Sequence, residues 1–496
     1  MSNLDRKVDI NTILNFLNLV VFSLTLIWFA DADPGHPYVD KSVVFAAALV
    51  HIQLILFLRY ERKKKNPFLL ILVIVTLFFY LSRIFTLLAD EFMVSLTFNR
   101  EGGENIGTKE IATFLIYLHF SLWAIFFGVK VGDKQRLYTN NTPPPTPIKR
   151  ETYLKLLFLG LLSVLYFPIA AFFIDTNAAA GLLLGLFSGF FNYEVFVMLI
   201  TIMAFYYKDK VPKRYSRCAF AFVGLLFFMK ILNGGSGPML RIGFPFFFTL
   251  LMITKRIRIK LSLLLVTVVL VIATSFFGTF LKFSNQKINL QLVQGFKELD
   301  KDQYKILFSQ IAARSAFLDF SVELINNKEY ARIINLPRYG KSLVDAYTPG
   351  FDLFDEPLTG HALRAVYLPS FPMHPTRKDV AENYNSDQIN IFSEYYVLFG
   401  PILSMLFFFL SAILFKRGYN YCVFIVKNKI IGLLLGAIIL NLFWVWLRSF
   451  GIDFILADMT NLVYPIILIY YGSRIHFGKT TLPVSLSGKI LVSNVY

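Results

Sequence analysis

Residues 67–89 read PFLLILVIVTLFFYLSRIFTLLA, an apolar run of 23 residues interrupted by one charge, Arg83. At 1.5 Å per residue such a helix spans ~34 Å, enough to cross ~30 Å of hydrocarbon. Comparable runs recur at about 12–30, 42–58, 111–129, 154–174, 180–206, 218–232, 238–254, 261–280, 391–415, 430–447 and 454–471. The expected fold is therefore all-α and integral to a membrane, with about twelve transmembrane helices.

The composition agrees. Of 496 residues, 56% are hydrophobic and only 16% charged, and Phe alone occurs 54 times. Soluble domains average about 25% charged residues. A net charge of +17 would suggest nucleic acid in a soluble protein. Here the basic residues sit in short loops that orient membrane helices, so nucleic acid is not an expected partner. The two cysteines, Cys218 and Cys422, fall at cytoplasmic helix ends and predict neither a disulfide nor a metal site. No small-residue cleavage site follows the first apolar run, which is read as the first membrane helix.

Alternate connections are basic. Arg59, Arg62, Lys63, Lys64 and Lys65 fill the first, Lys130 to Lys155 the second, and Lys208 to Arg217 the third. Lys255, Arg256, Arg258 and Lys260 follow, then Lys416, Arg417, Lys427 and Lys429. The positive-inside rule then puts both termini in the cytoplasm. Residues 1–280 hold helices one to nine, 281–390 form one large extracytoplasmic loop, 391–472 hold helices ten to twelve, and 473–496 form a cytoplasmic tail. The loop carries 13 Lys/Arg and 13 Asp/Glu. A membrane protein that commits so much chain to one aromatic-containing loop is expected to act there. No internal repeat of the transporter kind is visible.

Three arginines on three helices fall at one depth. Arg83 lies about sixteen residues into the third helix, ~24 Å from the cytoplasmic side. Helices seven and eight are short and joined by Asn233–Gly234–Gly235–Ser236–Gly237–Pro238, so that turn dips below the outer surface and takes Arg241 with it. Arg448 ends helix eleven at the same level. Each costs ~2.5–3.5 kcal/mol on insertion scales. A shared anion would repay that cost, and a lipid diphosphate suits guanidinium geometry. The alternative is that they snorkel, or pair with carboxylates such as Asp453. Near the midplane, Glu194 and Lys230 are expected to pair and fix helix packing.

In the loop, Tyr304–Asn326 reads as an amphipathic helix containing Arg314, lying on the membrane surface or roofing a cavity. Leu336–Pro337–Arg338–Tyr339–Gly340–Lys341 and Tyr347–Thr348–Pro349–Gly350 read as turn signals. An acidic patch follows at Asp352, Asp355 and Glu356, then Thr359–Gly360–His361–Ala362–Leu363–Arg364. No fixed-spacing metal, phosphate-loop or nucleophile-elbow motif is present. His361 is the candidate base closest to neutral pKa. Glu394, at the start of a membrane helix, is the other; its simpler role is to complement the positive end of that helix.

These features resemble bacterial oligosaccharide repeat-unit polymerases (Wzy-type, O-antigen polymerases). Such proteins have ten to fourteen membrane helices and one large late extracytoplasmic loop. The resemblance is carried by Gly234–Gly235–Ser236–Gly237–Pro238–Met239–Leu240–Arg241, by Arg338–Tyr339–Gly340–Lys341–Ser342, and by Glu394–Tyr395–Tyr396–Val397–Leu398–Phe399–Gly400–Pro401. Pro401 stands where a second glycine is more usual. The His-Asn pair that related O-antigen ligases carry before the glutamate is missing, which favours polymerase over ligase.

The resemblance implies a C-type glycosyltransferase fold in the bacterial cytoplasmic membrane, working without metal, nucleotide sugar or other cofactor. Its substrate would be an oligosaccharide on undecaprenyl diphosphate, transferred en bloc, and a chain-length regulator would be a possible partner. Arg241 and Arg314, then Arg338 and Arg364, with Arg83 and Arg448 at the shared depth, would hold the diphosphate. His361 or Glu394 would be the base. Three other readings remain: O-antigen ligase, a lipid-monophosphate-sugar transferase using Asp31 and Asp33, and a flippase with Glu194 and Lys230 on its path.

Overall fold

The computed structural model describes residues 7–31, 36–88, 107–133, 148–176, 189–232, 236–254, 258–260, 317–326, 335–347, 353–357, 390–448 and 452–474. The protein is mostly helical. Among the described residues, six helices are long and apolar enough to cross a membrane. The ninth apolar run, 261–280, lies outside the described residues, as does the first part of the sixth.

In chain order the first elements are β1 (Lys7–Asp9), α1 (Ile10–Asp31), α2 (Lys41–Lys64), α3 (Pro67–Thr76) and α4 (Ser82–Leu88). Then come α5 (Thr108–Asp133), α6 (Arg150–Thr176), α7 (Tyr193–Thr201), α8 (Lys213–Leu232), α9 (Ser236–Thr254) and β2 (Arg258–Lys260). The described part of the long loop contributes α10 (Phe317–Asn326) and α11 (Leu336–Tyr347). The chain ends with α12 (Ile391–Asn420), α13 (Lys429–Arg448) and α14 (Ile452–Arg474).

Short polar side chains start these helices, because the first backbone N–H groups of a helix lack partners. Asp40 accepts from the amides of Ser42 and Val43, and Asn66 from Phe68 with Pro67 in the first helical position. Asn192 accepts from Glu194 and Val195, and Asn390 from Ser393. Asn335 starts α11 in the same way, accepting from the Arg338 amide at 3.1 Å. This corrects the expectation of a turn at 336–341. Pro337, in the first turn of a helix, gives up an N–H that would have had no partner there.

Helix α5 packs between α2 and α12. Phe57 of α2 stacks on Phe126 of α5 at 4.8 Å. On the other side Gly128 and Gly132 make a small-xxx-small face against α12. A Cβ at Gly128 would stand 2.3 Å from the Phe409 carbonyl oxygen, and one at Gly132 2.8 Å from the Lys416 Cβ. Lipid offers no hydrophobic drive between helices, so close backbone approach is what holds such a pair.

The basic connections gather at one end of the bundle. β1 pairs antiparallel with β2, joining Asp9 to Arg258. Asn11 donates to the Glu61 carboxylate. Lys416 pairs with Asp133 at 3.2 Å, and Phe68 meets Tyr419 at 5.4 Å. Arg150 lies over the Tyr215 ring at 5.3 Å. Large apolar side chains such as Phe16, Phe45 and Ile402 point outward and are exposed, as a lipid-facing surface requires.

Candidate functional site

The end of the bundle away from the basic connections holds the site. Three helices converge there on one aromatic cluster. Phe244 of α9 lies 3.9 Å from Trp444 of α13, and Phe248 lies 5.6 Å from it. Phe79, in the π-helical turn Leu77–Leu81 between α3 and α4, lies 5.9 Å from Trp444. Phe79 also meets Phe317 of the long loop at 4.8 Å.

Each of the three arginines assigned to one depth sits about one helical turn outward of this cluster. Arg83 follows Phe79 by four residues and Arg448 follows Trp444 by four. Arg241 precedes Phe244 by three on α9, which runs in the opposite direction. One turn is 3.6 residues and 5.4 Å. The positions of Arg83, Arg241 and Arg448 therefore share a level and surround the same aromatic floor. Their sequence spacing gave the depth; the aromatic contacts supply the lateral convergence. A π-turn adds a residue to one helical turn and is frequent at functional sites.

Arg83 has a protein partner. Its Nε lies 3.0 and 3.1 Å from the two carboxylate oxygens of Asp319, and its Nη2 lies 2.6 Å from Oδ2. Both residues are buried, at 2% and 0% exposure. Asp319 belongs to α10, the end of the stretch expected to be amphipathic. Leu318, Ser321, Val322 and Leu324 are buried too, and α10 packs against α5, α12 and the π-turn. A helix lying on the membrane surface would keep one face in water; α10 is instead packed into the bundle.

Helix α12 corrects a second expectation, that of one straight span. Gly400 has φ +73° and ψ 173°, outside the helical region, and Pro401 follows it. Phe392 then meets Phe408 at 5.1 Å, Tyr395 stacks on Phe408 at 5.2 Å, and Phe399 stacks on Phe407 at 4.2 Å. On a continuous helix Phe392 and Phe408 would be ~24 Å apart. The segment is a helical hairpin: residues 391–399 rise to Gly400 and residues 401–420 run back toward the basic end. Tyr117 of α5 braces the two limbs, its hydroxyl 3.1 Å from the Phe392 carbonyl and 2.8 Å from the Ser404 hydroxyl.

The hairpin brings the end of the long loop deep into the bundle. Asn390 donates to the Phe317 carbonyl at 3.3 Å and to the Ser321 hydroxyl, which joins it to α10. Glu394, one turn further on, is fully buried and sits in the first turn of its limb. Glu394 and the Arg83–Asp319 pair are thus linked through α10.

Arg338 lies in a different part of the loop. It pairs with Glu356, and Asp345 accepts from the amides of Leu353, Phe354 and Glu356 at 3.0–3.1 Å. Helix α11 packs on α14. Glu356, one of the three residues of the acidic patch, is therefore structural. Glu194 accepts from Asn441 at 2.8 Å, one turn inward of Trp444; the Lys230 side chain lies outside the described residues. So do His361, Arg314, Arg364 and the Arg241 side chain. Asp319, Asn390, Asn441 and Tyr117 were not singled out by sequence as partners, because each acts across the fold on a residue with no fixed spacing.

Comparison with protein-family models, with curated proteins and with solved structures found no match to this chain.

Proposed function

We propose that this protein polymerises oligosaccharide repeat units carried on undecaprenyl diphosphate, as a multi-pass enzyme of the bacterial cytoplasmic membrane. In this reading about twelve helices cross the bilayer in a C-type glycosyltransferase arrangement. Both termini are cytoplasmic, and the 281–390 loop works on the outer side.

One observation carries the reading. Three arginine positions on separate helices share a level above one aromatic floor, and α10 of the long loop meets that floor through Phe317 and Arg83 through Asp319. Guanidinium groups in a water-poor, preorganised setting stabilise charge that develops on a leaving diphosphate. Arg241, Arg448 and Arg83 serve this role from the bundle, with Arg314 and Arg364 from the loop. Arg338, already paired with Glu356, orders the loop.

The chemistry balances without a cofactor. The bond between the sugar anomeric carbon and the diphosphate oxygen breaks, and undecaprenyl diphosphate leaves with the electron pair. The acceptor hydroxyl oxygen forms the new bond to that carbon. Its proton passes to the base, Glu394 or His361; the burial of Glu394 in the bundle supports it. A chain-length regulator would bind at the loop.

The test is stoichiometry. Purified protein is given lipid-diphosphate-linked repeat units, and released undecaprenyl diphosphate is counted against glycosidic bonds formed. One per bond is expected. Bonds formed without its release, or no bonds with a verified repeat unit, would overturn the reading.

A further inference from the structure

We infer that Asp319 is a positioning residue that grips Arg83 by the Nε–Nη2 edge of its guanidinium and turns the adjoining Nη1–Nη2 edge toward the diphosphate. This rests on the proposed diphosphate site and assigns it one more working part.

A guanidinium carries five N–H donors in a rigid fork. The Nε and one Nη2 hydrogen go to Asp319. One Nη1 hydrogen faces the Thr86 hydroxyl oxygen at 3.4 Å. That oxygen accepts, because the Thr86 hydroxyl donates to the Arg83 carbonyl at 2.9 Å. Among the described residues two N–H groups then remain without a partner, one on each Nη, along the Nη1–Nη2 edge that adjoins the paired one. That spacing matches two oxygens of a phosphate. An arginine paired to a carboxylate by its Nε edge is therefore still a bidentate anion donor by its other edge.

A buried ion pair alone is weak evidence for a stabilising role, since an apolar pair of similar volume often does as well. What the pair provides here is direction. Asp319 is itself held in place: Ser321, two residues on, receives the Asn390 amide, which also donates to the Phe317 carbonyl. Phe317 rests against Phe79, four residues before Arg83. Arg83 is thus fixed at the level shared with Arg241 and Arg448 before any substrate arrives. A preorganised donor spends no binding energy on being ordered.

The experiment measures thermal shift of the purified protein with farnesyl diphosphate and with inorganic diphosphate, in chelator, with farnesol as the blank. Wild type, Asp319→Asn, Arg83→Lys and the swap R83D/D319R are compared. Wild type should be stabilised by farnesyl diphosphate and not by farnesol. A similar response to inorganic diphosphate would show that the headgroup suffices, and a response to the lipid form alone that the chain contributes. Both are compatible with the grip on Arg83.

Asp319→Asn and Arg83→Lys should weaken binding about tenfold or more. The swap should regain wild-type thermal stability while keeping the weakened affinity, because the pair is remade but the guanidinium now starts from α10. A swap that restores affinity together with stability would reduce Asp319 to a structural residue and overturn the inference. If the swap does not fold, Arg83→Lys decides: unchanged affinity would also overturn it. Failure of wild type to respond to either diphosphate would bring down the diphosphate site itself, a distinguishable result.

Discussion

Phe392 and Phe408 are sixteen residues apart in the chain and 5.1 Å apart in space. That contact folds residues 391–399 back against residues 401–408 inside the bundle. Residues 391–399 return through the membrane level of the arginines before the chain crosses to the basic end. Glu394 thereby reaches a fully buried position, which a straight span starting at the surface would not give it.

The hairpin depends on Gly400. With φ at +73° and ψ at 173°, its backbone lies in a region that is essentially glycine-only and costs other residues about 1–3 kcal/mol. A Cβ there would meet no atom within 4 Å, so strain and not crowding decides. Gly400→Ala is expected to lower the midpoint of thermal unfolding in detergent. Gly224 of α8 also has open space around it, so Gly224→Ala should be neutral or slightly stabilising, as in an ordinary helix. Equal effects at the two sites would contradict the hairpin geometry.

Gly128 tests the packing that holds the second limb. With the Phe409 carbonyl oxygen 2.3 Å and the Ala412 Cβ 2.8 Å from an added Cβ, α5 and α12 would have to move apart. Gly128→Val should cost at least the 1–3 kcal/mol typical of overpacking and reduce the monodisperse fraction in size-exclusion chromatography. A wild-type profile would mean that the helices do not approach this closely.

Tyr117→Phe removes the brace between the limbs while keeping the ring. The expected loss is about 1 kcal/mol. It should appear as faster amide hydrogen exchange across residues 391–399, with α2 and α5 unchanged. Unchanged exchange in that limb would show that aromatic stacking alone holds it.

Glu394→Gln keeps the volume of the side chain and removes its charge. If Glu394 is the base, turnover should fall by about 10²–10⁴-fold while binding of farnesyl diphosphate persists. His361→Gln serves as the comparison. A large loss in the His361 variant and a small one in the Glu394 variant would reassign the base.

Much of this arrangement was legible in the sequence. Runs of apolar residues bounded by Asp40, Asn66, Asn192 or Asn390 announce helices, because length and capping are local properties. The depth of Arg83, Arg241 and Arg448 followed from counting residues at 1.5 Å each. What sequence did not give was lateral and directional. Phe399–Gly400–Pro401 shows that a helix breaks, but the direction of the chain after the break is set by Tyr117, Phe407 and Phe408 across the fold. Pro337 and Gly340 read as a turn by residue type, while the Asn335 cap makes the same stretch the start of a helix. The role of Asp319 is not legible in its local sequence, since a carboxylate on an amphipathic helix is ordinarily solvated. Three-residue strands such as β1 carry too little pattern to be seen.

The most direct measurement of polymerisation gives purified protein in nanodiscs one native lipid-diphosphate-linked repeat unit, with chelator and without nucleotide sugar, and resolves the products on a gel, alongside Arg241→Ala. The account predicts a ladder of repeat-unit multiples for wild type, and little or no ladder for the folded Arg241→Ala protein. No ladder from wild type with a verified repeat unit would contradict the polymerase reading. A full ladder from Arg241→Ala would contradict the role of the arginine level.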